Sequence, residues 1–384
     1  MKKIVLLLSL ILIITLSGCG QKMTSSLSIG VSSLGSNYNP YYFTSESEEV
    51  VVDLIHEKLF NVDSSGEVIF NGNIDEVADL KGDMNFSIGS LTEIPSNDGE
   101  YKYVIKIRDE VRTPDGTEIS YKDILFDIYY LLDPSYKGGV ILNTLPIKGL
   151  DKYIYDVKEA LKLSKTKSQA ALDLAYVEGI SLRGTSIEII TTRKLTSEEL
   201  NILNIYVAPI EYYGNSQIFN VKNNRFGFQK GAVEEKRSNK GVGKYQIYKQ
   251  VIKDLTVYDL YLKRNSAYYK GKLSIETIKF TVLREKVYDD DGYRIEGGDA
   301  FYLIDKNEID IAYIDIDDYA KEEIPRYNMN LELNGNVISV IPLLTDETKG
   351  FAYSTKRIDR EVLVDMELNS ETDFFNKIDR FSYK

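Results

Sequence analysis

The segment from Tyr103 to Ile124, YVIKIRDEVRTPDGTEISYKDI, contains the signals of a strand, a tight turn and a helix start in immediate succession. Apolar and polar residues alternate over 101–107, which predicts a half-buried strand. Thr113-Pro114-Asp115-Gly116 predicts a tight turn, because Gly adopts backbone conformations that other residues avoid. Ser120, with Asp123 three residues later, predicts a capped helix start.

The same patterns predict further elements on both sides of this segment. The predicted strands are 27–31, 186–192, 243–250, 255–264 and 277–283, and the predicted helices are 50–60, 120–132, 151–163 and 197–204. Ser45 or Ser47 caps the first helix, Ser197 caps the last, and Asp133-Pro134 ends the second. Such a mixture of strands and helices indicates an α/β or α+β protein.

The first nineteen residues have the organisation of a bacterial lipoprotein export signal. Met1-Lys2-Lys3 is positively charged, and a mainly apolar run over 4–16 leads into Leu16-Ser17-Gly18-Cys19. The run is too short to span a bilayer, which takes about 20 residues. The last four residues resemble a lipobox, whose cysteine receives a diacylglyceryl group. We therefore expect cleavage after Gly18, a lipid on Cys19, and a tether over 19–28; an ordinary signal peptide with a chance cysteine is the alternative.

The amino-acid composition limits the range of possible functions and partners. Cleavage would leave 366 residues and would remove Lys2 and Lys3, so the formal charge would change from −12 to −14. Such an acidic chain is a poor partner for nucleic acid. Cys19 is the only cysteine, so no disulfide is expected. The 29 tyrosines are interpreted mainly as half-buried packing residues rather than as a recognition surface.

Few kinds of catalytic site can be built from this sequence. His56 is the only histidine, so no Cys/His zinc site is expected, and no Gly-x-Ser-x-Gly elbow accompanies it. No phosphate-binding loop is present, and Tyr288-Asp289-Asp290-Asp291-Gly292 is interpreted as a solvated acidic turn. A carboxylate pair remains open as a catalytic device. We expect a chain without a cofactor, without a metal and without enzymatic activity.

Five segments, taken in order, resemble the family 5 solute-binding proteins of ABC importers. They are 27–40 with 52–60, 103–124, 241–245 with 262–269, 306–312 and 350–357. Lys244, Tyr269 and Asn307 depart from residues usual in that family. The resemblance implies a two-lobed α/β fold of the periplasmic-binding-protein type II class, with an extra subdomain in the first lobe. The implied divisions are a signal peptide (1–18), a tether (19–28), a first lobe (29–275, inserted subdomain about 60–180) and a partial second lobe (276–384).

The resemblance also implies a function. Such proteins close two lobes over a ligand, most often a short peptide, and deliver it to a membrane permease driven by ATPase subunits. This chain would act as a monomer, anchored by its lipid on the extracytoplasmic face of the cell membrane, and would not bind nucleic acid. The expected ligand-binding residues are Leu34, Gly35, Ser36, Asn37, Tyr38, Tyr136, Gly138 and Tyr245. The alternative is a surface turn for the two loops and buried packing for Tyr245.

Family members continue well beyond the position that corresponds to Lys384, so the resemblance implies an incomplete second lobe. Two further interpretations stay open at this point. The chain could be a truncated or degenerate binding protein without transport activity, or a surface lipoprotein with a structural or interaction role on the same scaffold.

Overall fold

The structure is a computed structural model. It describes residues 26–63, 65–70, 87–96, 99–164, 176–214, 219–222, 225–228, 240–253, 256–271, 273, 275–288, 294–315, 339–340 and 350–354. Cys19 lies outside these ranges, so its lipidation stays a prediction. Within the described residues, no helix has the length and apolar character needed to cross a bilayer.

The elements alternate between strands and helices along the chain. The helices are α1 (Glu46–Ile55), α2 (Tyr121–Leu132), α3 (Leu150–Ser164), α4 (Ser197–Leu203), α5 (Ile210–Tyr213) and α6 (Ala300–Asp305). The strands are β1 (Ser26–Val31), β2 (Gly89–Pro95), β3 (Tyr101–Ile107), β4 (Ile180–Arg183), β5 (Ser186–Thr191), β6 (Phe219–Lys222), β7 (Arg225–Phe228), β8 (Tyr245–Lys253), β9 (Thr256–Arg264), β10 (Thr277–Val282), β11 (Arg284–Tyr288), β12 (Arg294–Gly298), β13 (Ile311–Asp315), β14 (Ser339–Val340) and β15 (Gly350–Ser354).

The largest sheet has seven strands in the order β14-β15-β13-β1-β10-β9-β8. β1 lies inside it and runs parallel to β10 on one side and to β13 on the other. Leu27, Ile29 and Val31 of β1 are buried, so burial of apolar side chains stabilises its central position. Asp310 adds to this: its carboxylate accepts from the Ser28 amide (2.9 Å), and its own amide donates to the Ser28 carbonyl (2.7 Å).

This sheet crosses the predicted lobe boundary at residue 275, because β10, β13, β14 and β15 share it with β1. The four-stranded antiparallel sheet β2-β3-β5-β4 is separate; β2 and β3 fall within the predicted insertion, whereas β4 and β5 extend it to residue 191. It packs with α2 in a core of its own. The division into two lobes at residue 275 stays a prediction.

Local signals are accurate around α2. Ser120 and Asp123 form the predicted capping box, and the helix ends at Leu132, directly before Asp133. Gly116, in the predicted turn, has φ of 90°. Ser45 caps α1, as predicted, but Thr196 rather than Ser197 caps α4.

The first helix is shorter than its apolar spacing predicts. It ends at Ile55, and His56 is extended. The following backbone pairs with a distant segment instead: the Leu59 amide donates to Ile205 O (2.8 Å), and the Val207 amide donates to Glu57 O (2.9 Å). These non-local hydrogen bonds replace helical ones, which the local pattern could not reveal.

Candidate functional site

The candidate site lies at the edge of the large sheet where β1 ends. Because β10 and β13 both run parallel to β1, all three strands point their carboxyl ends toward this edge. The chain then leaves β10 for β11, and the Leu283 amide donates to Val31 O (2.8 Å). A strand flanked by parallel strands on both sides creates a crevice beyond its carboxyl end, where ligands bind in open α/β sheets.

Residues 32–44, here called the β1 loop, cover this edge. Their conformation is fixed by Glu48, which is buried in the first turn of α1. One carboxylate oxygen accepts from the amides of Ser36 (3.1 Å) and Asn37 (2.9 Å), and the other accepts from the amide (2.8 Å) and hydroxyl (3.3 Å) of Thr44. A single side chain therefore joins both ends of the loop.

The predicted site residues of this loop have different environments. Ser36 is exposed, whereas Tyr38 is fully buried, and its hydroxyl donates to Gly35 O (2.6 Å). Burial, with a further contribution from Glu48, raises the pKa of Tyr38. Leu34 packs against the core beneath the large sheet. Gly35 is required for close packing, because a Cβ atom there would overlap with the Glu48 side chain.

The second predicted segment meets the β1 loop through tyrosines. The Tyr136 hydroxyl donates to Tyr41 O, and its ring lies 5.3 Å from that of Tyr42. The Tyr42 and Tyr130 hydroxyls are 3.2 Å apart, and the rings of Tyr41 and Tyr130 stack at 4.7 Å. The structure therefore brings Tyr136 and the β1 loop together into one aromatic surface, with Tyr42 and Tyr136 partly exposed.

Asp127 supports this surface from below. Its carboxylate is fully buried and accepts from the Tyr41 hydroxyl and from the Ala208 amide (3.1 Å). Burial raises the pKa of Asp127 well above its ordinary value, and the two hydrogen bonds offset only part of this effect. Tyr41 is thereby held in position beneath Tyr42.

Two neighbouring glycines provide a matched test of this packing. A Cβ atom at Gly138 would overlap with Tyr41 O and the Tyr136 hydroxyl, whereas one at Gly139 would meet no atom within 4 Å. We expect Gly138→Ala to lower the free energy of unfolding by about 1–3 kcal/mol, as overpacking does. Gly139→Ala should change it by less than about 0.5 kcal/mol, as ordinary surface substitutions do. Equal effects in urea unfolding would contradict this packing.

Tyr245 lies elsewhere. It is 1% exposed at the start of β8, and its hydroxyl donates to Ile275 O (3.3 Å). The strand pairings β8–β9, β9–β10 and β10–β1 place Tyr245 at the same end of the sheet as the start of β1, not at the end where the β1 loop begins. Its environment is that of a packing residue, the alternative considered from sequence, and its ligand role has no support from this position.

His56 is also a packing residue. It is 1% exposed, its Nε2 is 3.2 Å from the Tyr213 hydroxyl, and burial lowers its pKa to about 3. Gly241 and Gly243 pack directly against it, because a Cβ atom at either position would overlap with the backbone of 55–56. The glycines of this motif therefore serve close backbone approach. Within the described ranges, no group of three or more His, Cys, Asp or Glu side chains is placed to hold a metal ion.

The sequence matches no family model, and no curated protein is similar enough to count as a match. Solved structures match its fold. The pheromone receptor PrgZ, whose mode of peptide binding is known, gives a TM-score of 0.50 at 16% identity, over 83% of this chain and 51% of that one. The oligopeptide-binding protein AppA from Bacillus subtilis, in complex with a nonapeptide, gives 0.49 at 15% identity, over 82% and 47%. NikZ from Campylobacter jejuni, with Ni(L-His), gives 0.47 at 17% identity, over 83% and 47%.

The chain spans about half the length of each of these three proteins. The likeness to PrgZ shows the fold, an α/β fold of the periplasmic-binding-protein type II kind, as the resemblance implies.

Proposed function

We propose that this protein is an extracytoplasmic solute-binding protein that captures a short peptide and delivers it to an ABC importer. In this proposal Cys19 carries the lipid that holds it at the membrane, beside the permease and its ATPase subunits. It acts as a monomer and performs no bond chemistry. The ligand-binding wall consists of the β1 loop and the segment 133–140.

One observation carries the proposal. The β1 loop, which contains the predicted residues 34–38, and the second predicted segment around Tyr136 are distant in sequence, yet Tyr136 contacts Tyr41 and Tyr42 of that loop beside the carboxyl edge of β1. That edge is where a fold of this class forms its crevice. PrgZ, which has this fold, binds peptide, in agreement with the proposed ligand.

The exposed serines of the loop suit an extended peptide. Ser32, Ser33 and Ser36 are solvent-accessible, and none of them carries a large side chain. A peptide whose backbone hydrogen-bonds to the protein gains affinity with little side-chain selectivity. The tyrosine rings beside it offer contact area at a low cost in conformational entropy, because each side chain has only two rotatable bonds.

Substitution of Tyr42 tests this wall. We expect Tyr42→Ala to weaken binding of an equimolar pool of tri- to pentapeptides about tenfold or more, because large aromatic contacts dominate recognition surfaces. Tyr155→Ala is the matched control: Tyr155 is 65% exposed on α3, outside the aromatic surface. Isothermal titration calorimetry on both variants, with a thermal melt to confirm folding, measures the difference.

The outcomes separate the proposal from its alternatives. Peptide binding that Tyr42→Ala weakens and Tyr155→Ala leaves unchanged supports a working solute-binding protein. A cooperatively folded chain that shows no heat with millimolar peptide would favour the truncated or degenerate interpretation, or the structural lipoprotein. Peptide binding that Tyr42→Ala leaves unchanged would place the ligand site outside this wall.

A further inference from the structure

A cavity lies toward the edge of the large sheet where β1 begins. Its volume is about 630 Å³, within the range of small-molecule sites. Lys244 directly precedes β8, and Lys270 follows β9. The strand pairings place the beginning of β8 and the end of β9 on the side of the sheet where β1 begins. The β1 loop approaches this cavity from the other side, because the ring of Phe43 lies 6.1 Å from the ring of Tyr206, whose hydroxyl donates to Asp53 in the cavity wall. We call this cavity the amino-edge pocket.

Charges of both signs line this pocket. Lys58, Lys244 and Lys270 provide ammonium groups, and Asp53 and Glu57 provide carboxylates. Lys270 and Glu57 form an ion pair at 3.3 Å, with side chains only 10% and 11% exposed. A buried ion pair of this kind needs further hydrogen bonds to offset its desolvation. The Tyr268 hydroxyl provides one by donating to Glu57 (2.7 Å).

Asp53 provides the second carboxylate of the pocket. It accepts from the Tyr206 hydroxyl (2.5 Å), and Lys58 lies 4.9 Å from the centre of the same tyrosine ring. Burial is the largest influence on the Asp53 pKa and raises it, while Lys58 and Lys244 act in the opposite direction. An added cation beside this carboxylate would therefore be favoured electrostatically.

The pocket also has an apolar part. Phe60 is buried in its wall, and Val62 is 48% exposed at its rim. A ligand with one charged end of each sign and an apolar portion would match these three features together. A simple anion would match the lysines but would meet Asp53 and Glu57 as like charges.

We propose that the amino-edge pocket binds a small zwitterion, with its anionic group toward Lys58 and Lys244 and its ammonium group toward Asp53. This inference goes beyond the proposed function and does not depend on peptide binding. Two sources offer this chemistry: a free amino acid, and the phosphoethanolamine headgroup of a membrane lipid. The second is within reach if Cys19 is lipidated, because Ser26 is the seventh residue after Cys19, an extended span of at most about 25 Å.

The test uses the full chain extracted from membranes in detergent. L-leucine and O-phosphoethanolamine are titrated by calorimetry into the wild type, Lys58→Gln/Lys244→Gln, Asp53→Asn and the control Lys122→Gln, whose lysine is exposed at the start of α2. Loss of a charged hydrogen bond costs about 1.5–3 kcal/mol, so we expect the pocket variants to bind at least about tenfold more weakly. Lys122→Gln should bind like the wild type.

Lipid vesicles then distinguish a lipid headgroup from a free amino acid as the source of the ligand. Phosphoethanolamine binding with retention on phosphatidylethanolamine vesicles, but not on phosphatidylcholine vesicles, indicates the headgroup; leucine binding alone indicates a free amino acid. The proposal is overturned if neither probe binds at a concentration of about 10 mM, which is far above the Kd of ordinary ligands. It is also overturned if the pocket variants bind like Lys122→Gln, or if the peptide pool displaces the probe. Loss of peptide binding alone would refute the proposed function and leave this pocket intact.

Discussion

Replacing Glu48 with alanine should lower the free energy of unfolding by about 2–4 kcal/mol and remove measurable peptide binding. The buried carboxylate accepts hydrogen bonds from Ser36, Asn37 and Thr44, so its loss leaves several polar groups of the β1 loop without their acceptor. These hydrogen bonds are part-buried, and each hydrogen bond to a charged group contributes about 1.5–3 kcal/mol. The loop should therefore lose its fixed conformation. Urea unfolding and calorimetry with the peptide pool measure the two effects.

Glu46→Ala is the matched control for this experiment. Glu46 is also an acidic residue in the first turn of α1, but it is exposed. Both substitutions remove one negative charge near the helix N-terminus, which is worth about 0.3–1 kcal/mol at the surface. If Glu46→Ala proves as destabilising as Glu48→Ala, the effect belongs to the helix rather than to the loop, and the role assigned to Glu48 is wrong.

The second large effect is expected at Asp127. Alanine there should cost about 2–4 kcal/mol, because the Tyr41 hydroxyl and the Ala208 amide both lose their acceptor and a cavity is left. Asparagine keeps the shape of the side chain and an oxygen that can accept from Ala208, and it cannot ionise. Asp127→Asn should therefore be much closer to the wild type.

The pH dependence provides a sharper test of Asp127. Burial raises its folded-state pKa above 3.8, so the folded protein holds this proton more tightly than the unfolded chain. The associated stability is fully present below the unfolded-state pKa and is lost as the pH rises through the folded-state pKa. Asp127→Asn lacks this loss, so its stability relative to the wild type should increase with pH above 3.8. A difference that is constant with pH, measured by urea unfolding, would contradict the buried carboxyl.

Local sequence signals predicted much of the fold because their causes are local. The alternation over 101–107 matches the bounds of β3, and the Ser120–Asp123 capping box is present as expected. Asn307 is a further case: it stands where the solute-binding proteins that the sequence resembles usually have Gly, and its φ of 57° is one that Asn tolerates better than most residues. The interpretation of tyrosine as mainly a packing residue also agrees with the many that are buried.

What sequence could not predict depends on contacts between distant segments. The end of α1 at Ile55 follows from pairing with 205–207, and the sharing of one sheet by β1, β10 and β13 follows from tertiary packing. In the candidate site, residues 34–38 of the β1 loop, Tyr136 and Gly138 were predicted, but Glu48, Tyr42 and Tyr130 were missed. Glu48 looks like any acidic residue in a first helical turn, and only its burial against the loop distinguishes it.

Hydrogen–deuterium exchange of the folded chain, with and without the peptide pool, tests the central claim most directly. The account predicts that peptide slows amide exchange in the β1 loop and in 133–140, and that Tyr42→Ala reduces this protection while Tyr155→Ala preserves it. Bound peptide that protects other segments and leaves these two unchanged would contradict the assignment of the ligand site to the carboxyl edge of β1.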